Sequence, residues 1–595
     1  MRKLMPGAGL CTLAGFLLAA GTASGQLAPG PDEQFAALAE GFVKDYPMLS
    51  PVNATTLGEH RYDDLLDEVS RATRIRTASF LRKYLVELDG IDRDELSRDN
   101  QIDAALLKKR IEYRLWLQEK FQNWAWDPTL YTGLAGSSIY GLMARDFAPV
   151  EQRLSSVTAR LEQLPRFLTQ VRVTLKPERV PPVHAETAVR QNPGLKSILD
   201  NLVLPEADKL DAKARARLQN AIDGAREALD EHQEWLENDL LPKAQGDFRI
   251  GSKLFDQRLA FTLHTPLSRK DIRNRARREY DRVRSEMYAL ALPLYKAEYP
   301  YMQFPDKPGT AMQQVIIRHA LEKAYAARPA RGQIVSVARE YLEQAERFVR
   351  DRDLVTVPDE EVKIIVMPEF QRGVAVAYCD PPGPLAVGQD TFYAVAPLPD
   401  DWTETQVQSF LREYNLLSIQ DLTIHEAMPG HFLQIAHSNR HPSTLRRMLY
   451  SGTFVEGWAV YAERMMIDEG YLDGNPLMRL INLKWYLRTI TNALLDQAVH
   501  VDGITRDEAM QLMVEGGFQE EREAAAKWVR AQLTSTQLST YFVGFQEHDD
   551  LRREVEQLWG ESFSLKRYHD TVLSYGSPPA QFVRAMMLDT PVPER

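Results

Sequence analysis

Residues 207–241 read ADKLDAKARARLQNAIDGAREALDEHQEWLENDLL, with Leu210, Ala214, Leu218, Ala221, Ala225, Leu229 and Leu236 falling at three- and four-residue steps through charged sequence. That period belongs to an amphipathic helix with one apolar stripe. The same pattern recurs over 101–122, 151–174, 270–296, 311–327, 331–350, 476–500 and 520–533, without a fixed-period repeat or a low-complexity block. The chain therefore reads as mainly α. One region departs from the pattern. Residues 362–367, 374–378 and 391–396 are short β-branched or aromatic runs, separated by Gly373 and by Pro381-Pro382-Gly383-Pro384. They predict a small sheet around 362–396. Its position, just before the densest histidine cluster, suits either a cleft wall offering a backbone edge to an extended peptide or a plain structural hairpin.

With 595 residues, 44% apolar and 26% charged, the chain can bury a large core, and disorder is excluded as its main state. The net charge is −11, and removing residues 1–25, which carry Arg2 and Lys3 but no acid, takes it to −13. Nucleic acid and anionic membrane surfaces are unsuited to such a chain. Residues 1–25 read as a cleaved secretory signal. Arg2 and Lys3 precede an apolar stretch at 8–20 that is too short to span a bilayer, and Thr22-Ala23-Ser24-Gly25 offers small residues for cleavage near residue 25. The expected location is periplasmic or secreted, without stable membrane association. Cys11 lacks a lipoprotein-type cleavage context, so no lipid anchor is expected. The mature chain keeps only Cys379 and so has no intramolecular disulfide.

Four of the twelve histidines lie in TIHEAMPGHFLQIAHSNRH, residues 423–441. His425-Glu426 opens like a zinc-hydrolase helix, in which two histidines four apart bind the ion and the intervening Glu is the general base. Here the second histidine, His431, is six positions on. Six residues of regular helix turn about 240°, against about 40° for four, so His425 and His431 can share a metal only if the helix is distorted. Pro429-Gly430 supplies the means. The competing reading is a helix that ends at Met428 beside two unrelated histidines. Glu456, 25 positions after His431, is the candidate third ligand. Glu463, seven residues further, lies about 20° away on the helix wheel and suits a role orienting a ligand histidine. The alternative for this pair is a solvated acidic stripe. His437 and His441 have metal-pair spacing but no adjacent Glu, and they stop at Pro442; they read as an exposed helix end.

The motifs His425–His431 (HEAxPGH) and Glu456–Glu463 (EGWAxYAE) resemble those of the bacterial family known as domain of unknown function 885. LGEHRYDD (57–64), WLENDLLPKAQGDFRIG (235–251), QLSTYFVG (537–544) and YHDTVLSYGSPP (568–579) extend the resemblance over the mature chain. That family is in turn similar to helical gluzincins, the Taq-type carboxypeptidases and thimet-type oligopeptidases. The resemblance implies a multi-helix, two-lobed architecture around a deep cleft, with an N-terminal lobe at about 26–350 and a catalytic lobe at about 351–595. It implies Zn²⁺ on His425, His431 and Glu456, with Glu426 as base. Ser535-Thr536 stands where the family usually has Pro-Gly.

The implied activity is hydrolysis of short peptides by an exported zinc peptidase, as a carboxypeptidase or dipeptidyl carboxypeptidase. Tyr541, with His500 as second choice, is the candidate donor to the developing oxyanion. Arg488 and Arg530 are candidates for holding a terminal carboxylate. His569 has no role that its spacing assigns. Two other functions fit the same residues: a zinc amidase or esterase acting on a non-peptide substrate, and a non-catalytic peptide-binding protein. Oligomeric state is not readable.

Overall fold

The computed structural model describes residues 29–305, 308–367, 376–386 and 388–593; the expected signal segment lies outside them. The fold is predominantly helical. The 207–241 stripe forms α2 (Ala212–Trp235), whose first turn is capped by Asp211 accepting from the Ala214 amide. Packed against it is α1 (Val150–Thr174). Leu218, Ala221, Ala225 and Leu229 meet Leu154, Val157, Leu161 and Leu168 in one buried core, to which each leucine contributes roughly 2 kcal/mol.

A second, larger core begins at Phe255 and runs to Val583. It takes in α3 (Arg269–Glu298) and the helices Thr310–Ala326 and Ile334–Asp351. The helix Ile334–Asp351 therefore belongs with this second core. The reason is the stripe Ile334, Ala338, Leu342, Ala345 and Val349, which faces this second core and not the first. A third core joins Phe35, Phe42, Leu81 and Ile102 to Leu445, Leu449 and Phe582, tying the N-terminal helices to the C-terminal end.

The sheet lies where the β-branched runs place it. β1 (Val362–Val366), β2 (Ala377–Asp380) and β3 (Thr391–Val395) are ordered β1-β3-β2, with β3 parallel to β1 and antiparallel to β2. Central β3 is buried at every position, and β2 lies at one edge of the sheet. Val374 and Ala375 lie outside the described residues. Among the described residues no helix is long and apolar enough to cross a membrane.

Candidate metal centre

The helix that carries His425 does not bend around Pro429; it stops. α4 (Leu416–Glu426) starts at Asn415, which caps the amides of Leu417 and Ser418, and it ends one residue after His425. Ala427 leaves helical geometry, the Met428–Pro429 peptide is cis, and α5 (His431–Asn439) begins at His431 itself. The two histidines thus belong to two helices. Gly430 makes the turn possible: its amide donates to the Ile424 carbonyl at 2.9 Å, and a Cβ there would sit 1.9 Å from the His425 carbonyl oxygen. The freed Pro429 carbonyl accepts from Trp458 Nε1 at 2.9 Å.

Trp458 lies on α6 (Gly452–Asp468), which also carries Glu456 and Glu463. α6 crosses α9 (Ser539–Trp559) at Gly457 and Gly544, so closely that a Cβ on Gly457 would lie 2.3 Å from the Gly544 carbonyl carbon. The crossing brings Glu456 towards the two histidines. One ligand atom each from His425, His431 and Glu456 lies within 4.8 Å of the others. His425 Nε2 and His431 Nε2 are 3.7 and 3.5 Å from Glu456 Oε2. Glu456 Oε2 is buried and accepts no hydrogen bond, which leaves it open to a cation. Two imidazoles and one carboxylate are a donor set suited to zinc.

Behind the ligands, Glu463 Oε1 lies 2.5 Å from His425 Nδ1, which turns His425 Nε2 towards Glu456. Burial raises the pKa of Glu463, against the pull of His425. Asp421 stands behind Glu463, fully buried, and receives Asn482 Nδ2 at 3.2 Å. Burial and then the charge of Glu463 push its pKa well above the carboxylate range. Burial disfavours charge on His425, but Glu456 and Glu463 outweigh it and raise its pKa well above the usual imidazole value. Burial likewise works against ionised Glu456, and the two histidines overcome it and lower its pKa. Sequence reading missed Asp421, whose signal is its position one helical turn before His425.

The centre opens on a cavity of about 650 Å³ lined by Val376–Cys379, by His425, Glu426, His431 and Glu456, and by Arg488, Lys527, Arg530 and Tyr541. Glu426 Oε2 accepts the Cys379 amide at 2.9 Å, so the outer edge of β2 meets the candidate base. Of the two readings of the sheet, the cleft wall is the one found. Tyr541 OH accepts from Arg530 Nη2 at 3.0 Å and from Gln537 Nε2 at 3.1 Å, and its ring centre is 6.5 Å from that of His425.

The remaining candidates separate. His500 does not line the cavity; it is buried against carbonyl oxygens of Phe248, Ala531 and Thr534, a packing site set by the C-terminus of α8 (Glu521–Leu533). Arg488, on α7 (Pro476–Gln497), is buried against Glu523 and Glu413. His569 is enclosed by Tyr461 OH at 2.8 Å and the Leu354 carbonyl at 2.7 Å. His437 Nε2 bonds the Thr356 carbonyl, and the Ser443 amide donates to His441 Nδ1, so both are half-buried capping groups.

The cavity-lining His, His, Glu cluster thus sits in a predominantly helical scaffold that also carries a small sheet. The family model "Bacterial protein of unknown function (DUF885)" matches residues 51–587, and the chain belongs to that family. A solved protein of unknown function from Shewanella oneidensis, named as a lipoprotein candidate, is 34% identical, with a TM-score of 0.78 over 93% of this chain and 99% of its own. A lipoprotein candidate from Colwellia psychrerythraea, 17% identical, has the same fold, with a TM-score of 0.77 over 94% of this chain and 100% of its own. No curated protein matches the chain.

Proposed function

We propose that the chain is an exported zinc-dependent hydrolase that cuts amide bonds in short peptides. The observation that carries this reading is the convergence of His425, His431 and Glu456, whose buried Oε2 accepts no hydrogen bond, beside Glu426. The ion, when held by these three residues, supplies a Lewis acid that polarises the scissile carbonyl and acidifies water. Glu426, held by the Cys379 amide through one carboxylate oxygen, takes the proton of the attacking water and passes it to the leaving amine. Tyr541 already accepts from Arg530 and Gln537, which uses both hydroxyl lone pairs and leaves its own proton free for the developing oxyanion. The outer edge of β2 suits an extended backbone, and a cavity of this size admits a few residues and no folded protein. The lipoprotein name of the 34%-identical Shewanella oneidensis protein supports the exported part of the reading.

The deciding experiment measures zinc content and chelator-sensitive peptide hydrolysis in wild type and Glu426→Gln. Bound zinc in both, with turnover only in wild type, is the expected result. Zinc in both with activity in neither favours a peptide-binding protein. Turnover of other amides but of no peptide favours the amidase or esterase, and a wild type without zinc sinks every metal-based reading.

A further inference from the structure

One part of the cavity wall, lined by Glu413, Arg488, Glu520, Glu523, Lys527 and Arg530, is rich in charge. Glu413 is paired with Lys484 at 2.8 Å, Glu520 with Arg412 at 3.4 Å, and Glu523 with Arg488. Tyr414 OH donates to Glu523 as well, at 3.0 Å. On α8, Arg522 stacks over the Trp402 ring, and two further cations of the helix are left without a close carboxylate. Lys527 is 4% exposed, makes no hydrogen bond among the described residues, and comes no closer to a carboxylate than 3.9 Å, at the shared Glu523. Arg530, three residues on and so on the same helix face, holds only the neutral groups of Gln537 and Tyr541. Both line the cavity.

A buried ammonium without a close counter-charge is costly, and it persists where an anion arrives to complete it. We propose that Lys527 and Arg530, with Arg488 beside them, hold the free α-carboxylate of a short peptide or acylated amino acid, so that the bond cut lies near the substrate's C-terminus. The proposal rests on the hydrolase reading and adds the substrate class. Through Tyr541, Arg530 sits next to the metal centre, so a carboxylate bound here leaves room for only a short C-terminal piece beyond the scissile bond. Burial, and then the charge of Arg488, lower the Lys527 pKa well below the usual lysine value, and a carboxylate bound beside it would raise that pKa again. Sequence reading named both arginines for this task and missed Lys527.

The test is calorimetric titration of the full-length Glu426→Gln protein, in which turnover is suppressed, with benzoyl-glycyl-glycine and its C-terminal amide. The acid is expected to bind about tenfold to a hundredfold more tightly than the amide, the usual range for a charge-assisted bond. Adding Lys527→Met removes that preference and leaves amide binding unchanged, whereas Lys527→Arg retains it; melting curves verify that each variant is folded. Equal affinity for acid and amide, no acid binding at millimolar concentration, or equal weakening of both by Lys527→Met overturns the subsite. Hydrolysis is read separately on wild type. Acid preference without turnover leaves the subsite standing and sinks the hydrolase reading, and turnover of acid and amide at equal rates does the reverse.

Discussion

Glu463 Oε1 and His425 Nδ1 lie 2.5 Å apart, and this contact decides which imidazole nitrogen faces Glu456. Glu463→Gln replaces the acceptor with an amide that can turn its NH₂ towards the ring. Zinc affinity is expected to fall about tenfold to a hundredfold, with a smaller change in melting temperature. Competition with a chromogenic chelator measures it, and unchanged affinity would mean that Glu463 does not orient the ligand.

Glu426→Gln keeps the size of the side chain and its contact with the Cys379 amide but removes the base. Turnover should drop by roughly 10²–10⁴-fold at unchanged zinc content. Residual activity within tenfold of wild type would assign the proton transfer to another group.

Tyr541→Phe deletes the hydroxyl that Arg530 and Gln537 hold in place. A drop in kcat of about 10²–10³-fold with little change in KM is expected, since the lost donor acts on charge that develops only in the transition state. An effect confined to KM would make Tyr541 a binding residue.

Acid should destabilise the fold between about pH 6.5 and 4. His548 and His569 are buried, and burial pushes each down from 6.5 to about 4. The unfolded chain therefore binds more protons in this window. The stability that neutral, buried imidazoles contribute is complete above about pH 6.5 and is lost as pH falls through about 4, on the order of 3 kcal/mol for each. Guanidinium denaturation at pH 7 and pH 4.5 measures the loss, and His548→Gln should reduce it. A flat stability profile over this range would refute the assignment.

Helix periods and the β-branched runs carried most of the fold, because each reflects a local alternation of apolar and polar residues. The 207–241 stripe and the 362–396 sheet were readable for that reason. Which core the Ile334–Asp351 stripe faces was not, since only tertiary packing shows it. At the site, the wrong spacing of His425 and His431 was itself the signal, and Pro429-Gly430 pointed to the cause. What the spacing hid was its extent: a kink was expected, and the chain instead ends one helix and starts another. His500 looked catalytic from the end of its helix, yet its neighbours are carbonyls brought in from far along the chain. Asp421 and Lys527 were overlooked because a lone acid or lysine on a helix is ordinarily a solvated group; burial made them unusual, and burial is not written locally.

The crossing of α6 and α9 at Gly457 and Gly544 contains no charge to titrate and no side chain to rotate. It acts as a fixed gauge between the helix of Glu456 and the helix of Tyr541, set by bare backbone. Changes of pH and salt can retune the acids and bases around the cavity, but they have no purchase on this spacing. An added methyl group at either glycine would reset it, and Glu456 and Tyr541 would then move apart together with their helices.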